Sequence, residues 1–356
     1  MHFLEGQVPV AYNHYIGRKV TLVVTSVGLL VMTFVIAISM GVANISIAEV
    51  ASSLLGGDVA RRVDIIIWNI RLPQALTAVV AGGGLAVSGV VMQSILRNPL
   101  GSPFTLGISH AAAFGAAFSV MVLNGGIMGS TNADAVTITN PYITTFCAFL
   151  FSLLAASVVI VVSRLRGATS EVMILTGVAM GALFTAGTMF LQFFADDVQL
   201  AAIVFWTFGD TARATWSSLA AISLFVAAAS AYFIVSSWNY NAIDAGDETA
   251  MSLGVRVDRV RIVGMVLSSM LTAMIISFLG IIGFVGLVVP HMVRRVIGSD
   301  HRFLLPASIL IGGLLLLVSD TMARLVLAPH LLPVSVLTAF MGAPVFLYLI
   351  IRGQHR

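Results

Sequence analysis

The sequence predicts an all-α protein that crosses a membrane many times, and three observations support this fold class. Of its 356 residues, 59% are hydrophobic and only 9% are charged, whereas soluble domains carry about 25% charged residues. The mean hydropathy is +1.04, so lipid is the expected surrounding for most of the surface. The apolar residues are also grouped in segments of about 20, the length that a helix needs to cross the hydrocarbon core.

Ten apolar segments follow one another along the chain, and no stretch between them is long enough to form a second domain. We therefore expect a single membrane domain over residues 1–356. The first segment is longer than the core of a signal peptide and lacks an obvious cleavage site, so we expect it to be retained. The ten segments run over about 20–42, 73–95, 105–124, 141–163, 170–191, 216–237, 258–280, 282–298, 305–323 and 334–351.

The boundary between the seventh and eighth segments lies within the continuous apolar stretch LGIIGFVGL. Its glycines, Gly280, Gly283 and Gly286, weaken a helix and permit a tight turn, so we expect the break there. Between the second and third segments, the prolines of RNPLGSP cannot continue a helix and indicate a hairpin turn.

The basic residues predict the orientation of the bundle. With both termini in the cytoplasm, thirteen arginine and lysine residues lie on the cytoplasmic side and five lie outside. This bias fits the rule that short basic loops stay in the cytoplasm, and it supports an even number of spans. The net charge of +3 does not indicate a nucleic-acid partner, because the basic residues occur singly or in pairs. The five outer residues are Arg61, Arg62, Arg71, Arg213 and Arg324.

Small residues recur every four positions along the third segment, at Gly107, Ala111, Gly115 and Ser119. Such ridges let the backbones of neighbouring helices approach closely in lipid. The segments are therefore expected to form a compact bundle.

Few ionisable groups lie within the segments: His110, His291 and, near one end, Asp320. The chain has no HExxH or GxSxG motif, and its only lysine, Lys19, is not part of a phosphate-binding loop. Its single cysteine, Cys147, excludes an intrachain disulfide and a cysteine-based metal site. These absences argue against an intramembrane enzyme. A buried histidine commonly serves only as a hydrogen-bond partner, and a proton-coupled secondary transporter using these three groups remains the alternative.

The polar segment 239–261 predicts a short helix. Asp244 and Asp247 suit the start of a helix over 245–253, and Gly254 suits its left-handed end. Such a helix is either a structural connector or a docking element, and both interpretations remain open. At the other end of the bundle, Asp320 and Arg324 lie four residues apart, so a local ion pair and an outward docking role are likewise both open.

The motifs along the chain closely resemble one family. In order they are RLP, AVSGVVMQSILRNPLGSPFTLGIS, GDETAMSLGV, GIIGFVGLVVPHMVRR, SDHRFLLP, SDTMAR and LPVSVLTAFMGAPVFLYLI. Together, over about residues 45–352, they resemble the FecCD family, the membrane permeases of iron-siderophore, haem and cobalamin ABC importers. The resemblance implies ten spans per subunit, a dimer, and a translocation path between the subunits, lined mainly by the fifth and tenth spans.

The resemblance also implies roles for particular residues. A methionine-containing stripe on the fifth span would line the path, although such a stripe is often simply packing, and His110 stands where the family more often has serine or asparagine. The docking arginines for a binding protein match Arg71 and Arg324, while Gln74 replaces a third. The implied path residues are His110, Met173, Gly177, Met180, Phe184 and Thr188; the implied gate residues are Asn98, Leu100, Ala168 and Thr169; the implied coupling residues, within coupling helices over 239–257, are Asp244, Asp247, Glu248, Gly254 and Arg256.

The implied function is that of a non-catalytic transport subunit, multi-pass in the cytoplasmic (inner) membrane, that imports a metal chelate by alternating access. An iron-siderophore is the favoured cargo, with haem and cobalamin as alternatives. The implied partners are a second permease subunit, identical or related, two cytoplasmic ATPase subunits and a substrate-binding protein on the outer face. The chain itself is expected to hold no metal or cofactor, since ATP and magnesium are used by the ATPase.

Overall fold

A computed structural model describes residues 10–41, 45–123, 141–166, 169–328 and 330–353, and in these ranges the chain folds almost entirely into helices. A π-helical stretch, Ile66–Arg71, leads directly into the helix that starts at Leu72. The helices are α1 (Val10–Ser39), α2 (Ile47–Leu54), α3 (Arg61–Ile65), α4 (Leu72–Ile95), α5 (Ile108–Val122), α6 (Pro141–Leu165), α7 (Ser170–Phe193), α8 (Asp197–Thr207), α9 (Trp216–Val235), α10 (Ser237–Asp244), α11 (Asp247–Ser252), α12 (Val257–Leu279), α13 (Val285–Ile297), α14 (His301–Leu325) and α15 (Val334–Gly353).

Each of the ten apolar segments contains a helix, and seven stretches of the described chain are long and apolar enough to cross a membrane. These seven include α1, α6, α7, α9, α12 and α14, together with the continuous run 61–95 that ends in α4. Helix α13 has 13 residues, which at 1.5 Å per residue is about 20 Å, shorter than the hydrocarbon core. The fold class is therefore that of a helical multi-pass membrane protein.

Helix α8 lies outside the ten predicted segments. It begins because Asp196 and Gln199 form a reciprocal capping box directly after α7 ends. Its 11 residues span only about 16 Å, so α8 is too short to cross the membrane.

The predicted glycine break at the seventh boundary is confirmed. Helix α12 ends at Leu279, and Gly280 follows with φ +79. The next helix starts after Phe284, which also has a positive φ of +67. A Cβ at Gly342 of α15 would lie 2.5 Å from the Cβ of Phe284, so the glycine is what allows α15 to pack against this turn.

Helix α4 lies at the centre of the bundle and is buried along almost its whole length. It packs against α9, α12, α13 and α14. Glycines make these contacts possible: a Cβ at Gly82 would lie 2.3 Å from the carbonyl oxygen of Gly312, and one at Gly89 would lie 1.7 Å from that of Gly286. Backbones therefore touch directly at these crossings, as small-residue packing in lipid allows.

The predicted small-residue ridge packs α5 against α6. A Cβ at Gly115 would lie 2.5 Å from the carbonyl oxygen of Cys147, and Ala111 and Ser119 are buried beside it. Gly107 does not belong to the helix: with φ +76, it precedes α5 as its N-cap.

The segment 239–261 forms α10 and α11 and the start of α12. The predicted helix over 245–253 corresponds to α11, and Gly254 closes it with φ +83, as expected. The prediction for Asp244 is wrong, because Asp244 ends α10 and Gly246 is the residue before α11. Helix α10 begins at Ser237, almost directly after α9, so Asp244 lies at the C-terminus of α10 and not at the start of a helix.

Candidate functional site

An open groove of about 640 Å³ lies between α7 and the start of α5. Its walls are apolar or small, apart from two threonines and a histidine. Gly107 and the α7 glycines bring the backbones together, since a Cβ at Gly107 would lie 2.7 Å from the nitrogen of Gly181. The lining residues are Phe104, Thr105, Gly107, His110, Gly177, Val178, Gly181, Ala182, Thr185, Ala186 and Met189.

His110 is the titratable side chain of this groove. It is half-buried, and its ring centroid lies 5.8 Å from that of Phe104. Its Nδ1 atom is buried without a hydrogen-bond partner among the described residues. The structure thus places His110 in the groove, where Nδ1 lies beside Gly181 of α7 without a hydrogen bond to the described residues.

Three of the predicted path residues on α7, Met173, Met180 and Phe184, are buried within this chain. Their side chains are 0%, 9% and 7% exposed, and the ring of Phe184 packs on Phe114 of α5 and Phe151 of α6. This burial favours the packing interpretation of the methionine stripe.

Two other predicted path residues on α7 have different positions. Gly177 borders the groove, whereas the hydroxyl of Thr188 donates to the carbonyl oxygen of Phe184 at 2.9 Å, within its own helix. The exposed face of α7 carries Val178 and Met189, at 61% and 63% exposure. This face, rather than the methionine stripe, borders the groove.

The two predicted gate segments lie side by side. They border a cleft of about 380 Å³ that is lined by the loop after α4 and by the first two turns of α7. Within the loop, Asn98 Oδ1 accepts a hydrogen bond from the Leu100 N–H at 2.8 Å, and Leu100 is 44% exposed. Thr169 caps α7 by accepting from the Val172 N–H at 3.4 Å. The fourth predicted gate residue, Ala168, lies outside the described residues.

The last turn of α4, directly before this loop, is held by polar contacts from other helices. Gln93 accepts from Arg294 Nη1 at 3.0 Å and donates to the Leu287 carbonyl at 3.2 Å. One residue on, the Ser94 hydroxyl donates to Asp244 at 2.7 Å. Sequence reasoning missed these contacts, although Gln93 and Ser94 are conspicuous polar residues near the end of an apolar segment.

Asp247 points towards the bundle. Both of its carboxylate oxygens accept from Arg261 Nη2, at 2.9 and 3.0 Å, and Arg261 Nε donates to the Ile95 carbonyl at 3.1 Å. By contrast, Glu248 and Arg256, two of the other predicted coupling residues, are exposed. The predicted coupling set therefore divides into inward and outward groups.

A second polar cluster at this end joins α1, α10 and α14 around Asp300. This carboxylate accepts from Arg302 at 2.7 Å and from Asn241 at 3.1 Å, and Lys19 Nζ lies 3.8 Å away. Burial opposes ionisation, but the hydrogen bonds from Arg302 and Asn241 lower the pKa of Asp300 to about 2. Asp300 therefore stays charged at physiological pH and holds α1 to the predicted cytoplasmic end.

At the opposite end, Arg71 and Arg324, which the resemblance matches to docking residues, are buried within this chain. They are 5% and 9% exposed. Arg71 donates to the carbonyls of Ile38 and Ser39 at 2.6 and 2.8 Å, and Arg324 donates to that of Ala37 at 3.2 Å. The last carbonyls of α1 lack partners within the helix, so these cations satisfy them.

Asp320 completes this buried cluster, which also contains Gln74. Its carboxylate lies 3.1 Å from Arg324 Nη2, which confirms the local ion pair. It also accepts from Gln74 Nε2 at 2.9 Å and from the Thr211 hydroxyl. Gln74 is 4% exposed, so it is a packing residue here. The exposed arginines in this part of the described chain are instead Arg61 and Arg62, beside α2.

Comparison with known proteins places these features in context. Residues 29–352 match the FecCD transport family. The chain is 47% identical over 349 residues to MJ0087 of Methanocaldococcus jannaschii, named as an ABC transporter permease, and the alignment covers 98% of this chain and 99% of that relative. It is 38% identical over 291 residues to the hemin transport system permease protein HmuU of Yersinia pestis, covering 82% and 84% of the two chains.

A solved structure has the same fold. It is described as an inward-facing conformation of a metal-chelate type ABC transporter. It superimposes with a TM-score of 0.81 at 30% sequence identity, over 93% of this chain and 99% of that chain.

Proposed function

The chain belongs to the FecCD transport family, and on that premise we propose that it is the membrane-spanning permease subunit of an ABC importer for a metal chelate. The observation that carries the proposal is the agreement over 93% of the chain with a metal-chelate type ABC transporter. As a permease subunit the chain is not an enzyme. ATP hydrolysis, with its magnesium, belongs to a partner ATPase.

The cargo we propose first is an iron-siderophore complex. The groove beside α7 supports a bulky, weakly held cargo, because its walls are mostly apolar or small. A path without strong ligands releases its cargo quickly and leaves selectivity to the binding protein. Haem is the second candidate, since a hemin permease is 38% identical to this chain; cobalamin is the third.

The proposed assembly uses both ends and one side of the bundle. Ten spans with both termini in the cytoplasm put α10 and α11 at an ATPase and put α2 and α3 at a substrate-binding protein. The apolar exposed face of α7, including Leu183 and Phe190 at 62% and 65% exposure, suits a second permease subunit, identical or related. The cargo would then pass between the two subunits.

The proposed mechanism is alternating access. ATP binding moves the ATPase subunits, which shift the short helices α10 and α11. The bundle rocks, and the cleft between the loop after α4 and the start of α7 opens or closes around Asn98, Leu100 and Thr169. His110 is the groove residue whose ring a passing chelate would contact.

The experiment that tests the function is uptake by proteoliposomes that contain the purified permease, its ATPase and the binding protein. Iron-siderophore, hemin and cobalamin are each offered, with ATP inside. We expect uptake of one chelate only when the ATPase and ATP are both present. Uptake driven by a proton gradient with no ATPase would instead establish a secondary transporter.

A charge reversal at Glu248 is expected to weaken ATPase binding about tenfold, the effect of losing about 1.4 kcal/mol at a contact rim. Glu248 is exposed on α11, and Met251 on the same helix and Leu253 directly after it are 58% and 68% exposed. The measurement is titration of the ATPase onto Glu248→Lys permease in nanodiscs. Asp197→Lys, an exposed carboxylate at the predicted outer end, is the control and should bind normally. Unchanged binding by Glu248→Lys would show that α11 is not the docking helix.

Binding-protein docking is expected to depend on Arg61 and Arg62 rather than on Arg71 and Arg324. The double change Arg61→Glu/Arg62→Glu should lower the association rate about tenfold at low salt, because exposed charges steer encounter. Arg164→Glu/Arg166→Glu makes the same charge change at the predicted cytoplasmic end and should have no effect. The association rate is measured by surface plasmon resonance at two salt concentrations. A rate equal to that of the wild type would exclude this docking surface.

A further inference from the structure

The tether between α11 and the loop after α4 consists of Asp247, Arg261 and the carbonyl of Ile95. Arg261 lies near the start of α12, is 6% exposed, and uses different nitrogens for its two partners. A guanidinium held in this way has a fixed position, because its planar donors are directional. Any displacement of the Asp247 carboxylate therefore pulls on the end of α4.

The tether is the main directional connection that α11 makes. Helix α11 has six residues, and Ala250 is its one fully buried side chain. A small apolar contact allows sliding, whereas a two-oxygen contact with a buried arginine does not. A rigid shift of α11 is thus passed to Arg261 rather than lost at the helix surface.

At its other end, the tether holds Ile95, which directly precedes the loop after α4. Ile95 is the last residue of α4, and the loop that follows contains Asn98 and Leu100. Arg97, whose backbone has a positive φ of +46, places Nη1 3.9 Å from the same Asp247 carboxylate. Because Arg97 is exposed, this second pair contributes little energy, but it shows that Asp247 faces the loop.

A parallel connection joins α10 to the same turn. The Ser94 hydroxyl donates to Asp244 at 2.7 Å, and His301 lies 3.9 Å from the other Asp244 oxygen. The two short helices thus hold two successive residues of α4, Ser94 and Ile95. Asp244 is exposed, as Glu248 is, and Asp247 is half-buried, but both aspartate carboxylates accept hydrogen bonds from residues of the bundle.

From this geometry we propose that Asp247 and Arg261 are the coupling relay of the permease: they transmit the movement of the docking helix α11 to the loop that gates the path. The proposal rests on the proposed function. Asp247 is accordingly a positioning residue and not an ATPase contact. Contact with the ATPase belongs to the outward residues of α11.

The test separates binding of the ATPase from the chelate moved per ATP hydrolysed. In proteoliposomes with ATPase and binding protein, Asp247→Ala is expected to bind the ATPase within about twofold of the wild type and to hydrolyse ATP. Its uptake per ATP should fall at least about tenfold, the effect of losing a contact of about 1.4 kcal/mol during gating. Glu248→Lys should show the opposite result: the ATPase binds it more weakly, but uptake per ATP is normal once the ATPase is saturating.

A double-mutant cycle tests the relay as a unit. If Asp247 and Arg261 act through each other, Asp247→Ala/Arg261→Ala should lose no more uptake per ATP than either single change, whereas independent residues would give multiplied losses. Asp247→Leu, which is of similar size and has no acceptor for Arg261, replaces Asp247→Ala if the alanine variant does not fold, and it is interpreted in the same way.

Hydrogen exchange supplies a readout that a merely stabilising pair would not change. ATPase binding should alter the exchange of residues 96–101 in the wild-type complex and leave it unaltered in Asp247→Leu. The proposal is overturned if Asp247→Leu retains normal uptake per ATP, or if the loop still responds. A wild-type complex without ATP-dependent uptake would refute the proposed function instead, so the two failures are distinguishable.

Discussion

Replacing Gly89 with alanine is expected to abolish folding of the bundle. The new Cβ would lie 1.7 Å from the carbonyl oxygen of Gly286 and 2.6 Å from its carbonyl carbon. Those atoms are backbone, so no side-chain rotation relieves the clash, and α4 must separate from α13. Ordinary overpacking costs about 1–3 kcal/mol. Separating a central helix exceeds that and approaches the whole stability of about 5–15 kcal/mol that typical domains have.

The measurement is the yield of monodisperse protein after solubilisation, by fluorescence-detected size exclusion. Gly28→Ala in α1 is the matched control, because no atom beyond its own stretch of helical backbone lies within 4 Å of its new Cβ. We expect near-complete loss of folded Gly89→Ala protein and an unchanged yield of the control. A wild-type yield for Gly89→Ala would contradict the close packing of α4 on α13.

Replacing Asp320 with alanine is expected to destabilise the predicted outer end by about 3–5 kcal/mol, the cost of leaving a buried charge without its partner. Asp320 is 2% exposed and is paired with Arg324 at 3.1 Å. Its removal also leaves Gln74 Nε2 and the Thr211 hydroxyl without this acceptor. Because Arg324 caps α1, the loss should spread to the packing of that helix.

The chain supplies its own reporter for this experiment. Cys147 is the only cysteine and is buried, so a thiol-reactive fluorophore reports unfolding. At about 2.1 cal/mol/K per residue, the loss corresponds to a fall in Tm of about 4–7 °C. Asp58→Ala, an exposed carboxylate near α3, should stay within about 0.5 kcal/mol of the wild type. Equal melting temperatures for Asp320→Ala and the control would contradict the buried cluster.

Much of the fold follows from local signals. Segment length located the ten helices that correspond to the apolar segments, and glycine located the break after Leu279 and the end of α11 at Gly254. The i, i+4 spacing of Asp320 and Arg324 indicated a local ion pair as one of two interpretations, and the structure contains that pair. Each of these features depends on residues that are close together in the chain, so it can be predicted from the sequence alone.

Which face of α7 is buried was less predictable, and the reason is physical. The stripe that contains Met173 and Phe184 was assigned to the path, whereas the exposed face of α7 carries Val178 and Met189. In water the buried face of a helix is the apolar one, but in lipid both faces are apolar, so composition does not say which face turns inward.

The sequence by itself therefore determined the membrane class, the helical segments, the turns and the family, because each depends on composition or on short-range order. Only the tertiary structure decided that Arg71 and Arg324 cap α1, that Gln74 meets Asp320 across 246 residues of sequence, and that Asp247 turns inward to Arg261. These partners are chosen by how the helices pack. A polar side chain near the end of a span must find a partner, and the chain sequence does not state which helix will supply it.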